Sequence, residues 1–331
     1  MRLPIVQAPM AGAGGVALAA GAMRGGALGS LPCAMLTADR IIEQVAGLRR
    51  AAAGPVNLNF FCHTLPAPPD ERAWRALLAP YYAEEGVEPG DAPPLRRPFD
   101  AAACAAVEAV RPEAVSFHFG LPDDALLARV RASGARVFGN ATTRDEMRWL
   151  AACGVDAVIA QGCEAGGHAG WFLDGHRPTP LAELLAVAVG VPVIAAGGIV
   201  DGAGIARALA AGASAVQIGT AYLATPESGI SAAHRALLGS EAEAALTNLL
   251  SGRAARGIVN RLMRELGPMR GEAPAFPYAS NALAPLRAKA EAEGRGDYSP
   301  LWAGAGSAQI RRMTAEALTR LLGEELASVC A

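Results

Sequence analysis

The stretches AVIAQGCEAGGHAG (Ala157–Gly170) and VPVIAAGGIVDGAGIARALAAGASAVQIG (Val191–Gly219) decide the fold of this chain. They contain three short apolar runs, each followed by a glycine-rich loop: Ala157–Ala160, Val193–Ala196 and Ala215–Ile218. Helical patterns lie between the runs, at Leu181–Val189 and Ala203–Ala211. Continuous apolar runs that alternate with helices predict parallel strands buried on both faces of a sheet.

Working outward toward the N-terminus, the same alternation predicts five earlier strands: Ile5–Val6, one within Gly25–Met35, Pro55–Phe61, Ala114–Phe119 and Ala135–Ala141. The helical patterns between them are Gly14–Met23, Ala38–Ala52, Ala101–Val110, Asp123–Ser133 and Arg144–Cys153. Eight strands by about residue 220 predict an α/β fold, a (β/α)8 TIM barrel. The active site of such a barrel lies at the carboxyl ends of its strands.

Two parts of the chain lie outside the eight βα units of the predicted barrel. The proline-rich segment 63–99 interrupts the alternation and contains a helical piece around Trp74, which indicates an insertion or lid. The barrel itself is therefore expected in residues 1–62 and 100–228. Residues 229–307 predict a smaller, mainly helical lid or substrate domain, with helices at Ser251–Leu266 and Leu283–Glu293. Residues 308–331 predict a last helix, Ala308–Leu326, that packs on the barrel.

Composition narrows the function classes. Hydrophobic residues make up 52% of the 331, and the formal net charge is −2, without a basic stripe, so nucleic-acid binding has no electrostatic support. The sequence shows no signal peptide and no apolar run long enough to cross a bilayer, which predicts no membrane association. Six scattered cysteines without metal-ligand spacing predict reduced thiols, a cytoplasmic protein and no metal site.

Two glycine-rich loops after the last two strands are candidates for binding a phosphate. Gly197 and Gly198 follow the seventh strand, and residues Gln217, Ile218, Gly219 and Thr220 end the eighth. Exposed backbone N–H groups, together with the Thr220 hydroxyl, suit a phosphate monoester at this end of a barrel. The alternative is that these glycines only form tight turns.

Among the histidines, His168 has the most informative context. It follows the sixth strand in EAGGHAG, where a neutral imidazole could remove a proton from a carbon acid. The alternative is a structural loop histidine. His118, at the end of the fourth strand, either orients a polar substrate or is structural. The contexts of His63, His176 and His234 favour structural roles.

The residues resemble the FMN-dependent nitronate monooxygenases, once called 2-nitropropane dioxygenases. The matching motifs are QAPMAG (Gln7–Gly12), NLNFFCH (Asn57–His63), VSFHFGLP (Val115–Pro122), QGCEAGGHAG (Gln161–Gly170), AAGGIVDG (Ala195–Gly202), QIGTA (Gln217–Ala221) and, in part, FPYASN to YSPLWAG (Phe276–Gly304). The resemblance covers essentially the whole chain. One departure is Ala305, where the family often has Gln.

The resemblance implies FMN across the barrel mouth. Ala8, Pro9 and Met10 would pass under the flavin ring. Asn59 and Gln161 would hydrogen-bond the ring or the ribityl chain, and Gly166 and Gly167 would permit close approach. The phosphate would lie on the two glycine loops. By the same resemblance His168 would be the base that deprotonates a neutral nitroalkane, and His118 would contact the substrate.

The implied reaction is oxidative denitrification, in which a nitronate and O2 give a carbonyl compound and nitrite. The sequence does not name the physiological nitronate, for which propionate 3-nitronate is one candidate, and it predicts a monomer or a homodimer. Two alternatives stay open. One is an FMN-dependent NAD(P)H reductase of the same superfamily, acting on an enoyl thioester or a quinone. The other is a phosphate-binding barrel without flavin.

Overall fold

The computed structural model describes residues 1–90, 95–173 and 175–330. The strands are β1 Ile5–Gln7, β2 Gly29–Pro32, β3 Val56–Phe61, β4 Ala114–His118, β5 Arg136–Ala141, β6 Ala157–Gln161, β7 Gly167–His168, β8 Val193–Ala196, β9 Ala215–Ile218, β10 Ala244–Thr247 and β11 Ala255–Ile258. The helices are α1 Val16–Gly25, α2 Ala38–Ala51, α3 Arg72–Glu85, α4 Ala101–Val110, α5 Asp124–Ala132, α6 Arg144–Ala152, α7 Leu181–Leu185, α8 Gly202–Ala210, α9 Thr220–Leu223, α10 Ala232–Leu237, α11 Arg261–Leu266, α12 Ala279–Ala292 and α13 Ala315–Cys330, with a short 3-10 turn at Ser307–Gln309.

Eight parallel strands form the barrel. Their order is β1-β9-β8-β6-β5-β4-β3-β2. The ring closes because Gln7 N donates to Leu28 O at 2.9 Å and Leu28 N donates to Ile5 O at 2.8 Å, which joins β1 to the residue before β2. The eight-stranded α/β barrel predicted from the apolar runs is confirmed. Its strand ends therefore bring loops from all parts of the chain to one mouth.

The barrel helices begin at residues whose side chains bind the free N–H groups of the first turn. Thr37 accepts from Arg40 N at the start of α2, and Asp201 accepts from Gly204 N at the start of α8. Thr143 and Glu146 form a reciprocal capping box at the start of α6. Caps of this kind typically stabilise a helix by about 1 kcal/mol, and they set where each strand-to-helix loop ends.

A second, smaller sheet lies outside the barrel. It has three antiparallel strands in the order β10-β11-β7, and β7 contains His168. The predicted helix Ser251–Leu266 is wrong in its first half, because Ala255–Ile258 pairs with β10 and β7 as a strand. A helix begins only at Arg261, where Asn260 accepts from Met263 N. Pairing with distant strands outweighs the local helix propensity of this stretch.

The inserted segment packs on the C-terminal part of the chain. α3 contacts α12, and the Trp74 indole donates to Ala279 O at 3.2 Å. The two helices share a cluster of buried apolar side chains that includes Trp74, Leu78 and Leu286. Residues 91–94 of the predicted insertion lie outside the described part of the chain. Side chains of α3 and of the C-terminal part of the chain therefore share one apolar cluster separate from the barrel core.

The last helix packs against two helices of the barrel. α13 contacts α1 and α8 through a cluster that includes Leu318 and Leu322. It begins at Ala315 rather than at the predicted Ala308, because Ile310 is extended and Thr314 accepts from Ala317 N as the helix starts. Within residues 1–90, 95–173 and 175–330, no helix is both long and apolar enough to cross a membrane.

Candidate active site

A cavity of about 490 Å³ opens at the carboxyl ends of the barrel strands. Its floor is formed by the loops that follow β1, β6, β8 and β9, and its outer wall by residues 229–231, 299–302, 304 and 306. All but one of the residues predicted to bind flavin or substrate line it: Ala8, Pro9, Met10, Asn59, His118, Gln161, Gly166, Gly167, His168, Gly197, Gly198, Gln217, Gly219 and Thr220. The exception is Ile218, whose side chain is buried in the core and whose carbonyl accepts from Ala8 N at 2.8 Å.

One end of the cavity offers backbone N–H groups and a hydroxyl. Gly197 and Gly198 have φ values of +127° and +69°, which turn the loop after β8 so that it passes close to the loop after β6. A Cβ at Gly197 would lie 3.0 Å from Ala165 N. Thr220 Oγ1 accepts from Gly304 N at 3.0 Å, so the hydrogen of its hydroxyl remains available to donate. This end has the donors that a phosphate monoester requires.

Gly166 is also constrained by a contact that the sequence did not predict. A Cβ there would lie 2.6 Å from both Ala303 C and Gly304 N, so the residue must be glycine for the 303–304 backbone to cross the loop. Gly167, with a φ of +75°, has open space where a Cβ would point. The EAGG motif is therefore explained first by contact with the outer wall of the cavity.

Gln161 anchors the loop that carries His168. Its Oε1 accepts from Asn140 Nδ2 and from Gly170 N, both at 2.9 Å, and its Nε2 donates to His168 O at 2.8 Å. The predicted bond from Gln161 to a flavin would have to share an amide that is already well bonded. Its demonstrated contacts fix the backbone on both sides of His168.

The cavity contains a buried polar atom without a partner. Gln217 Oε1 lines the cavity, and no described residue donates to it. Leaving a buried acceptor unpaired costs about 1–3 kcal/mol, which a ligand N–H group would remove. The isoalloxazine ring has such an N–H group, and the Thr220 end has donors for its phosphate. The described residues therefore fit FMN.

His168 stands where ligands can reach it. Its Nε2 lies 2.9 Å from Ser251 Oγ, and its ring lies between Phe276 and Trp302, with ring centroids 5.3 and 5.4 Å away. The pKa of His168 is held well below its ordinary value, first because burial disfavours the charged ring and then because Arg96 adds positive charge. The ring is therefore neutral, with one nitrogen free to accept a proton.

Other histidines near the cavity are also neutral. Burial, followed by the positive charge of Arg253, lowers the pKa of His118 to about 3. His63 was expected to be structural and does not line the cavity; its Nε2 lies 3.1 Å from Arg96 O. Burial lowers the pKa of His63 to about 4. His118 lies at the cavity wall, with its ring 4.4 Å from that of Phe119.

Sequence reasoning missed two arginines beside these histidines. Arg96, from the inserted segment, lines the cavity, and its Nη1 is buried without a partner among the described residues. Arg253 lies over the rings of Phe119 and Trp171, at 4.2 and 4.0 Å, and donates to Trp171 O. Arg96 belongs to no recognisable motif, since the proline-rich segment around it has no pattern that indicates a function. Only the packing of the insertion brings it to the mouth.

The acidic groups of the described residues form no metal site, and the one at the cavity edge is already hydrogen-bonded. No cluster of three or more His, Cys, Asp or Glu side chains in the described ranges could hold a metal ion. Glu291, at the cavity edge, accepts from Arg287 Nε at 2.8 Å and from Ser299 Oγ at 2.7 Å. Ala305, the departure from the family motif, is exposed and does not line the cavity.

Known proteins with similar sequences point to one family. A family model described as nitronate monooxygenase matches residues 1–324. A nitronate monooxygenase from Pseudomonas aeruginosa is 42% identical, with 98% of this chain and 96% of that protein covered. One from Paraburkholderia phytofirmans is 41% identical, covering 98% and 92%.

Solved structures agree with the sequence comparisons. A nitroalkane oxidase from Streptomyces ansochromogenes superposes with a TM-score of 0.91 at 40% identity, covering 99% of this chain and 97% of that one. FabK from Thermotoga maritima, at 22% identity and a TM-score of 0.73, shares the fold alone. The chain therefore belongs to the nitronate monooxygenase family, a family of flavin-dependent oxidoreductases.

Proposed function

We propose that the chain is an FMN-dependent nitronate monooxygenase that converts small nitronates and O2 into carbonyl compounds and nitrite. The observation that carries the choice of substrate is the charge of the cavity. Arg96 lines it, the buried Nη1 of Arg96 has no partner among the described residues, and Arg253 lies close to His118. The nearest acid at its edge, Glu291, is already paired with Arg287. A cavity with this surplus of positive charge favours an anionic substrate.

The residues that would hold FMN are the two glycine loops and the strand-end side chains. Gly197, Gly198 and Gly219 would hold the phosphate together with the Thr220 hydroxyl. Gln217 would accept from the flavin ring, Ala8–Met10 would support it, and Asn59 would hydrogen-bond it. When bound there, FMN would supply the electron-accepting chemistry that the reaction of a nitronate with O2 requires.

The protein's own contribution is to bind, orient and exclude water. Arg96 would pair with the negative charge of the nitronate. The rings of Phe276 and Trp302 pack near that of His168 and reduce its contact with water, which strengthens the electrostatic attraction. A nitronate is already deprotonated, so it requires no base. For a neutral nitroalkane, the C–H proton would pass to the free nitrogen of His168.

Anaerobic mixing of the FMN-loaded protein with ethyl nitronate tests the proposal. The flavin absorbance should change with the nitronate and not with NADH or NADPH, and admission of air should release nitrite. Bleaching by a nucleotide without any response to ethyl nitronate would instead assign a reductase. A preparation that stays colourless after addition of FMN would contradict the cofactor.

A further inference from the structure

We propose that Ser251 is a positioning residue that keeps the hydrogen of the His168 ring on Nε2, so that Nδ1 is the atom that accepts a proton from a neutral nitroalkane. This rests on the proposed function for the role of His168 as the base. Ser251 lies in the turn before β11, outside every motif that the sequence marks. It is 1% exposed, so its hydroxyl must find its partners within the protein.

The partners of the hydroxyl fix the direction of its hydrogen. Ser251 Oγ lies 3.2 Å from Arg253 O, to which it donates, and 2.9 Å from His168 Nε2. A hydroxyl has one hydrogen, and a carbonyl can only accept. With that hydrogen directed at Arg253 O, the lone pairs of Ser251 Oγ face His168, so Nε2 must carry a hydrogen and donate it.

The opposite arrangement is less favourable for two reasons. If Ser251 donated to Nε2, Arg253 O would lose the one donor it has among the described residues. The hydrogen on the ring would then move to Nδ1, which makes no hydrogen bond with a described residue. A ring N–H pointing into a cavity that contains Arg96 would face positive charge, whereas a lone pair there is attracted by it.

The arrangement leaves the base neutral and modest in strength, as burial and Arg96 make it. In serine hydrolases a carboxylate orients the catalytic histidine and stabilises its charged form. Here the orienting group is the neutral Ser251 hydroxyl, which accepts from His168 and donates to the carbonyl of Arg253. Ser251 can therefore select the tautomer and the ring orientation without raising the pKa of His168, and the C–H proton goes to Nδ1 while Nε2 keeps its own hydrogen.

The test compares Ser251→Ala with Ser228→Ala. Ser228 is also a buried serine, but its Oγ has no partner among the described residues and it does not line the cavity. In Ser251→Ala we expect kcat/KM for nitroethane to fall about tenfold or more, since a misdirected general base loses much of its effect. The kcat/KM for ethyl nitronate should stay within about threefold, because that substrate requires no base. Ser228→Ala should change neither.

Nitrogen NMR of protein labelled at its histidine rings, assigned with His168→Gln, gives a readout independent of activity. The wild type should show the Nε2–H tautomer of His168, and Ser251→Ala should show a mixture or a shift toward Nδ1–H. An Nδ1–H tautomer in the wild type, or an unchanged spectrum in Ser251→Ala, would overturn the proposal. If His168→Gln left nitroethane turnover intact, the base assignment would fail instead, while the NMR result would still decide the tautomer.

Discussion

At the scale of single residues, His168 has two opposing properties. It lines the cavity as a ring that can accept a proton, yet burial and, after it, the charge of Arg96 hold its pKa well below the ordinary value. A base with a low pKa is unprotonated at neutral pH and so can accept a proton, but its affinity for that proton is weak. The residue therefore suits an enzyme whose main substrates are already anions, with neutral nitroalkanes as slow substrates.

Replacement of His168 should separate the two substrate forms. In His168→Asn we expect turnover of nitroethane to fall about 100-fold or more, which is typical for loss of a general base. Turnover of ethyl nitronate should change little, because no proton has to be removed from carbon. Oxygen consumption measured with each form decides this. Equal losses on both would make His168 a binding residue rather than a base.

Arg96 should act on affinity for the anion. We expect Arg96→Gln to lower kcat/KM for ethyl nitronate about 10- to 100-fold, mainly through KM, since a hydrogen bond to a charged group contributes about 1.5–3 kcal/mol. Nitroethane has no net charge and should lose less. Arg97→Gln is the matched control, because Arg97 is exposed and does not line the cavity. An equal effect on both substrates would argue against an ion pair.

At the scale of elements, the loop after β8 and the two-residue strand β7 do most to build the site. The loop turns back through two residues with positive φ, and β7 fixes the His168 backbone to β11 at Ala255. Neither feature belongs to the regular βα repeat. The βα repeat forms the barrel, and the loop after β8 and strand β7 position the groups that would contact ligands.

The loop after β8 offers a matched pair of substitutions. Gly198 and Gly190 have φ values of +69° and +72°, so alanine at either costs about 1 kcal/mol of backbone strain. A Cβ at Gly198 would also lie 3.3 Å from Glu164 Cβ, whereas Gly190 has open space. In Gly198→Ala we expect FMN to bind about tenfold more weakly while riboflavin binding changes little. Gly190→Ala should change neither, as followed by flavin fluorescence; an equal loss for riboflavin would contradict a phosphate cradle.

At the scale of the whole molecule, buried neutral histidines make stability depend on pH. Burial lowers the pKa of His63 and of His234 to about 4, whereas a histidine in the unfolded chain has a pKa of about 6.5. Between these pH values the unfolded state binds more protons than the folded state. The stability that each neutral histidine contributes is therefore fully present above pH 6.5 and is lost as the pH falls toward 4. At pH 5 each group should contribute about 2 kcal/mol of that loss.

Urea denaturation of the FMN-free protein at pH 8 and pH 5 measures this loss. We expect the free energy of unfolding to fall by about 4 kcal/mol from these two groups, on top of the changes from His118, His168 and the carboxyl groups. The double variant His63→Gln, His234→Gln should have a flatter pH dependence whatever its stability at pH 8. The same slope in the variant and in the wild type would show that these rings do not stay neutral in the folded protein.

The barrel, its eight strands and most of the cavity floor follow from local patterns in the sequence. Apolar runs and glycine-rich loops recur there with a fixed local period, and parallel strands necessarily bring their carboxyl ends to one mouth. Motifs in those loops predicted the cavity-lining positions of His168, Gly197 and Thr220.

Other groups of the site are placed by long-range packing. Arg96 reaches the cavity because the insertion packs on α12, Ser251 reaches His168 because β11 pairs with β7, and Gly166 is required by the 303–304 backbone. None of these contacts has a local pattern. They follow from the packing and pairing of segments far apart in the chain, which local propensity and periodicity do not encode.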